Sequence, residues 1–107
     1  MSDCLFCKIA AGEIPANKVY EDDDFLAFHD IRPKAEVHFL IIPKAHVASL
    51  ADCGPEHEAM LGRLLALAPR LAREQGIGAG FQTRIHTGVA GGQEVFHLHL
   101  HVLGNRP

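Results

Sequence analysis

Val95-Phe96-His97-Leu98-His99-Leu100-His101-Val102-Leu103 is the stretch on which the reading of this chain turns. Histidine and apolar residues alternate strictly, which is the side-chain period of a β-strand. The alternation predicts one strand, with His97, His99 and His101 on one face and Phe96, Leu98, Leu100 and Val102 on the other. The apolar face calls for a core. Three imidazoles in register, about 6.6 Å apart by strand rise, call for chemistry, because imidazole is at once nucleophile, proton carrier and metal ligand near neutral pH. Three readings compete. Histidines at i and i+2 can share a metal ion, but the outer pair lies about 13 Å apart on a straight strand, too far for one ion to hold all three. One histidine can attack an electrophile while its neighbours handle charge and protons. Or the rings are satisfied, half-exposed side chains, which suits a lone histidine better than three in register.

The approach to this strand is Thr87-Gly88-Val89-Ala90-Gly91-Gly92-Gln93-Glu94. Glycines let backbone N–H groups come close to a ligand, and such turns favour anions. A glycine-rich loop by itself is only a turn. Followed directly by His-x-His-x-His and two hydrophobic residues, it resembles the histidine-triad family, in the branch of the Hint type (histidine-triad nucleotide-binding proteins). The resemblance extends from Cys4 to Arg106 and takes in Ile42-Pro43-Lys44-Ala45-His46 after the central apolar strand.

With 107 residues the chain is expected to be one domain, residues 1–107, large enough to fold around its own core. Apolar residues make up 48 % and the net charge is −3 with histidine neutral, which offers no basic footprint for nucleic acid. No run is long enough to span a membrane, and Met1-Ser2-Asp3-Cys4 lacks the basic and apolar regions of a signal peptide. Three cysteines without a secretory context read as reduced thiols, so a cytoplasmic location is expected.

Cys4 to Ala11 reads as a short helix stopped at Gly12, with Leu5, Phe6 and Ile9 close enough to share a face. Cys4 and Cys7 form a Cys-x-x-Cys pair, half of a zinc site or else a redox motif. Lys18–Glu21 and Phe25–His29 read as strands joined by a solvated Asp22-Asp23-Asp24 turn. Pro33 ends that hairpin, which leaves Asp30 at a strand end, either capping the turn or serving a ligand. His38 to Pro43 is a nearly continuous apolar strand, hence central and buried. Pro55 to Gln75 is one long amphipathic helix, with a kink expected at Pro69. Phe81 to His86 is a further strand. Five strands and two helices without βαβ alternation predict an α+β domain with a five-stranded antiparallel sheet.

A neutral imidazole that attacks and then leaves, beside loop amides suited to phosphate oxygens, specifies phosphoryl or nucleotidyl transfer better than acyl transfer. The resemblance implies more. His99, the middle histidine, would attack the α-phosphorus of a nucleotide and form a nucleotidyl-histidine, supported by His97, His101 and His38. Leu5, Phe6, Ile9, Phe28, His29 and Ile31 would wall the nucleoside pocket, and Asp30 would bond the ribose hydroxyls. His86, where the family usually has Asn, and Gly92, Gln93, Glu94 and Val95 would line the phosphate with His99 and His101. Purine nucleoside phosphoramidates and aminoacyl adenylates would be substrates and AMP the product, with no metal needed for the chemistry. Some relatives carry a zinc on the cysteine pair and two histidines, which here would be His46 and His97. Relatives of this type are homodimers that join through the long helix and a strand. Asn105 stands where Gly is common. Two other function classes remain open on the residues: a non-catalytic AMP-binding scaffold, and a zinc-binding protein.

Overall fold

The computed structural model describes residues 3–107. A short helix α1 (Leu5–Ala10) is followed by strands β1 (Lys18–Glu21), β2 (Phe25–His29) and β3 (Val37–Pro43), the long helix α2 (Glu58–Glu74), then β4 (Gln82–Arg84) and β5 (Leu100–Gly104). The strands form one antiparallel sheet in the order β1-β2-β3-β5-β4, so the α+β architecture expected from the sequence is the one observed. Every residue of β3 is buried, as its unbroken apolar run requires of a central strand.

The two faces of β3 have different partners. Val37, Phe39 and Ile41 share a core with Leu64, Ala68, Leu71 and Ala72 of α2 and with Leu98, Leu100 and Val102. Leu40 and Ile42 join Phe6 and Ile9 of α1 in a second core on the opposite face. His101 is paired with Leu40 across the β3–β5 ladder and stands on this α1 face. Strand alternation therefore sends the chemistry one way and the long helix the other. The acidic turn is a cap: Asp22 Oδ1 accepts from the backbone N–H groups of Asp24 and Phe25 at 2.8 and 2.7 Å, and Oδ2 accepts from the Tyr20 hydroxyl.

Three elements depart from the sequence reading. The triad does not lie on one strand: β5 begins only at Leu100, and Val95 to His99 run irregularly. Continued by two residues, the β3–β5 register would set Pro43 opposite Leu98, and Pro43 has no N–H to give. Leu98 N–H bonds to the Val47 carbonyl at 2.7 Å instead. Phe96, expected in the core, is 43 % exposed. β4 stops at Arg84 rather than His86 because its partner residues beyond His101 soon leave the sheet. Finally, Pro55–His57 is a separate 3₁₀ turn, so α2 starts at Glu58, and its assignment runs unbroken through Pro69 where a kink was expected. Among the described residues no helix is long and apolar enough to cross a membrane.

Pro69 cannot bond the carbonyl of Leu65, one turn back in α2. Pro69→Ala restores that bond and should raise stability by about 1–3 kcal/mol, read as a higher urea midpoint at unchanged m-value. A lower midpoint would mean that the ring's packing matters more than the missing bond.

Candidate active site

The site forms where the irregular segment before β5 crosses the end of β3 and meets α1. Its chemistry follows from which ring nitrogens carry hydrogen. His97 is fully buried, and its Nε2 lies 2.7 Å from the Pro43 carbonyl. A carbonyl only accepts, so Nε2 bears the proton and Nδ1 is a lone pair. His99 Nδ1 lies 2.7 Å from the carbonyl of His97, so Nδ1 bears the proton and Nε2 is the lone pair. His38 Nδ1 accepts from the Lys34 backbone N–H at 3.1 Å. Neutral His38 therefore carries its hydrogen on Nε2 and donates to His101 Nδ1 at 3.0 Å, which leaves Nε2–H of neutral His101 as a donor. The result is a nucleophile-type lone pair on His99 beside a proton on His101, with ring centroids 4.9 Å apart.

These rings resist protonation. Burial pushes His97, His99 and His38 below the ordinary imidazole value. His101 is pushed down to about 4, first by burial and then by His99, His38 and His86, against the opposing pull of Asp30. An uncharged His99 at neutral pH is the form that can attack.

The other residues named from the sequence fall around this centre. Phe6 of α1 presents its edge to His99 at 5.1 Å and to Phe28 at 5.5 Å. Ile9 and Phe28 are buried in the same core, and Val95 packs against it. Leu5 is exposed and Ile31 is 92 % exposed, so any pocket they border is open to solvent. His29 ends β2 half-buried. Asp30 caps its turn, Oδ1 accepting from Arg32 N–H at 2.8 Å, while Oδ2 stands 3.5 Å from His38 Nε2. His86 stacks at a tilt on His101, with centroids 5.1 Å apart. Gly92 adopts φ +88°, a left-handed conformation that favours glycine. Gln93 is buried and its amide is committed inside the loop: Nε2 donates to the carbonyls of Ala48 and Val95, and Oε1 accepts from Gly88 N–H. Glu94 points to the surface. The backbone groups of Pro43, Lys34 and Ala48, which set tautomers and loop shape, carry no signal in the sequence.

Cys4, Cys7, His46 and His97 converge, with ligand atoms all within 4.8 Å of one another. Cys4 Sγ and Cys7 Sγ lie 3.3 and 3.4 Å from His97 Nδ1, Cys7 Sγ lies 3.3 Å from His46 Nδ1, and the two Nδ1 atoms are 3.2 Å apart. The edge of a tetrahedron around zinc is roughly 3.3 Å between two nitrogens. The lone pair left on His97 Nδ1 by the Pro43 bond is directed at this set. The donor set thus fits a tetrahedral metal ion. Asp30, His38 and His101 also cluster, but the Lys34 bond puts a hydrogen on His38 Nε2, which disfavours a metal there. A surface depression bounded by Phe25, Arg63, Leu67 and Arg70 holds no histidine and lies by α2, away from the triad.

The family model described as "Scavenger mRNA decapping enzyme C-term binding" matches residues 3–106. Protein HitA of Neisseria gonorrhoeae is 53 % identical over 104 residues, covering 97 % of each chain. The purine nucleoside phosphoramidase of Escherichia coli K12 is 43 % identical over 106 residues, covering 98 % of this chain and 89 % of its own. Among solved structures, a HIT family hydrolase from Legionella pneumophila superposes with a TM-score of 0.95 at 48 % identity, covering 98 % of this chain and 95 % of its own. A histidine triad protein from Clostridium difficile gives 0.94 at 44 %, covering 100 % and 94 %.

The depressed imidazoles link folding to pH. In the unfolded chain His101 takes a proton near the ordinary imidazole value of 6.5, whereas in the fold it does so only at about 4. Its contribution to stability is full above about 6.5 and is lost as pH falls toward 4; His38 acts in the same direction. Thermal melts from pH 7.5 to 5.5 should show a falling Tm, and His101→Gln should flatten that slope. A wild-type Tm that rises over this window would contradict the assigned neutral state.

Proposed function

The chain belongs to the histidine-triad (HIT) family, and on that premise we propose that it is a purine nucleotide-binding hydrolase that releases AMP from adenosine 5'-phosphoramidates. The observation that carries the reading is the bond from His99 Nδ1 to the His97 carbonyl, which leaves Nε2 of a neutral, buried ring as the attacking lone pair. His99 Nε2 attacks the α-phosphorus, the bond from phosphorus to the leaving amine breaks, and a nucleotidyl-histidine forms. His101, with its proton on Nε2 and His38 behind Nδ1, donates toward the leaving group. Water then attacks phosphorus, AMP leaves, and His99 is regenerated. His97 acts through its carbonyl, which aims the nucleophile.

The nucleoside rests against Phe6, Ile9 and Phe28, with Leu5, His29 and Ile31 at the rim and Asp30 on the ribose. Gly92, Glu94 and Val95 offer backbone groups to the phosphate, and Gln93 holds that loop in shape from inside. The relative named purine nucleoside phosphoramidase supports the substrate class. Cys4, Cys7, His46 and His97 would hold a structural zinc, which would tie α1 to the triad segment and supply no chemistry to the reaction. The protein works as a cytoplasmic homodimer on small nucleotides, not on nucleic acid or membranes; its net charge of −3 fits this.

His99→Ala should lower AMP release from an adenosine phosphoramidate by at least about a thousandfold while AMP still binds. Undiminished turnover in that variant would sink the mechanism. For the metal, elemental analysis should find one zinc per chain in the wild type. Cys7→Ser should lose it together with several degrees of Tm, about 4–8 °C for each kcal/mol lost in a domain of this size. Full zinc retention in Cys7→Ser would remove that residue from the ligand set.

A further inference from the structure

His101 is the hub of a cluster of four imidazoles. The rings of His99, His86 and His38 stand 4.9, 5.1 and 5.2 Å from it, centroid to centroid. Three of the four are committed by their hydrogen bonds or their burial. Protonating His38 at Nδ1 would displace the Lys34 N–H, and protonating His101 at Nδ1 would set two N–H groups face to face with His38. His99 is buried, with its Nδ1 already donating to His97. His86 differs. It lies half-buried two residues beyond the end of β4, and among the described residues its ring nitrogens have no protein hydrogen-bond partner. It can gain a proton without losing a bond.

The charges around the cluster give that proton a use. From the end of β2 the cluster faces Asp30, whose carboxylate stands 3.5 Å from His38 Nε2. From β3 it faces His38, from β5 His101, and from the segment before β5 His99. On β4, Arg84 stands opposite His101, but its guanidinium bonds Gln82 Oε1 at 3.1 and 2.7 Å and is exposed. Lys34 bonds His38 through its backbone N–H, and the charges of Lys34 and Arg84 reach His38 only through space, where they oppose its protonation. A phosphate placed against His99 therefore meets a carboxylate and a set of neutral rings, with no cationic side chain among the described residues bonded to the cluster. Charges about 5 Å apart repel too strongly for several of these rings to be charged together. One proton, carried where it breaks nothing, is what the arrangement accommodates.

We propose that His86 is a proton-dependent phosphate ligand: its imidazolium supplies the one mobile positive charge of the cradle, so recognition of the nucleotide's phosphate tightens as the medium becomes mildly acidic. This rests on the nucleotide-binding reading above and adds a specificity device to it.

The test uses adenosine 5'-(methyl phosphate), whose single negative charge does not titrate near neutrality, with adenosine as the control lacking phosphate. Calorimetry from pH 8.5 to 6 should show the ester bound about tenfold more tightly at the acid end, as a charge-assisted hydrogen bond would give, while adenosine stays constant. His86→Asn keeps a neutral donor and should flatten the ester's profile at the wild-type pH 8.5 affinity. By reciprocity, the titration midpoint of the His86 ring, followed by NMR on the wild-type protein, should rise by about one pH unit when the ester binds. That reading holds even if the variant folds poorly. Equal slopes for wild type and His86→Asn, or a His86 midpoint indifferent to the ester, overturn the proposal and leave the hydrolase reading standing. Failure of both adenosine and the ester to bind at any pH overturns both.

Discussion

The 2.7 Å hydrogen bond from His99 Nδ1 to the carbonyl of His97 is what the proposed chemistry depends on, because it decides which nitrogen of His99 keeps its lone pair. That carbonyl is held in place by its own residue's side chain. The His97 ring is buried, bonded through Nε2 to the end of β3, and turned so that Nδ1 joins Cys4, Cys7 and His46. One residue thus connects the central strand, the first helix and His99. The orientation of the His99 ring is then a property of three elements together, since a shift in any of them would move the carbonyl.

The same logic runs through the other imidazoles. Each tautomer is set by a backbone group that can act in only one sense: a carbonyl for His97 and His99, an N–H for His38. His101 inherits its tautomer from His38. Burial then keeps the rings neutral, and the edge of Phe6 closes the side toward α1. Keeping polar rings dry is costly unless they are bonded, and among the described residues no buried side-chain nitrogen or oxygen is left without a partner. The sheet makes this possible by sending alternate residues of β3 to α2 and to the site, so that packing and chemistry do not compete for one face.

The fold was largely legible. Period-two alternation, one uninterrupted apolar run and one helical stripe were enough to place the elements, and the unbroken run His38 to Pro43 correctly marked the central strand. The departures share a cause. A strand extends only as far as its neighbour can offer N–H and C=O groups, and Pro43 and the short β4 end that supply. Alternation in Val95 to Leu103 thus placed Leu98, Leu100 and Val102 in the core without reporting a ladder, and it showed neither that His97 and His99 are buried as well nor that Phe96 faces solvent. At the site, the histidines, Asp30 and the cysteine pair could be picked out by type and spacing. The inward turn of Gln93 could not, because an amide reads the same whether it faces a ligand or a loop carbonyl.

What the sequence by itself determined is the inventory: the period of each element, the family, and a crowd of imidazoles near one strand end. Those properties follow from local steric preference and residue chemistry, which a linear pattern carries. Only the tertiary structure decided which nitrogen of each ring holds hydrogen, which rings stay neutral, and that His97 serves the metal-type cluster with its ring and His99 with its backbone. Protonation and tautomer depend on burial and on partners up to 93 positions away in the chain, as between Cys4 and His97, and no local pattern encodes a distance in space.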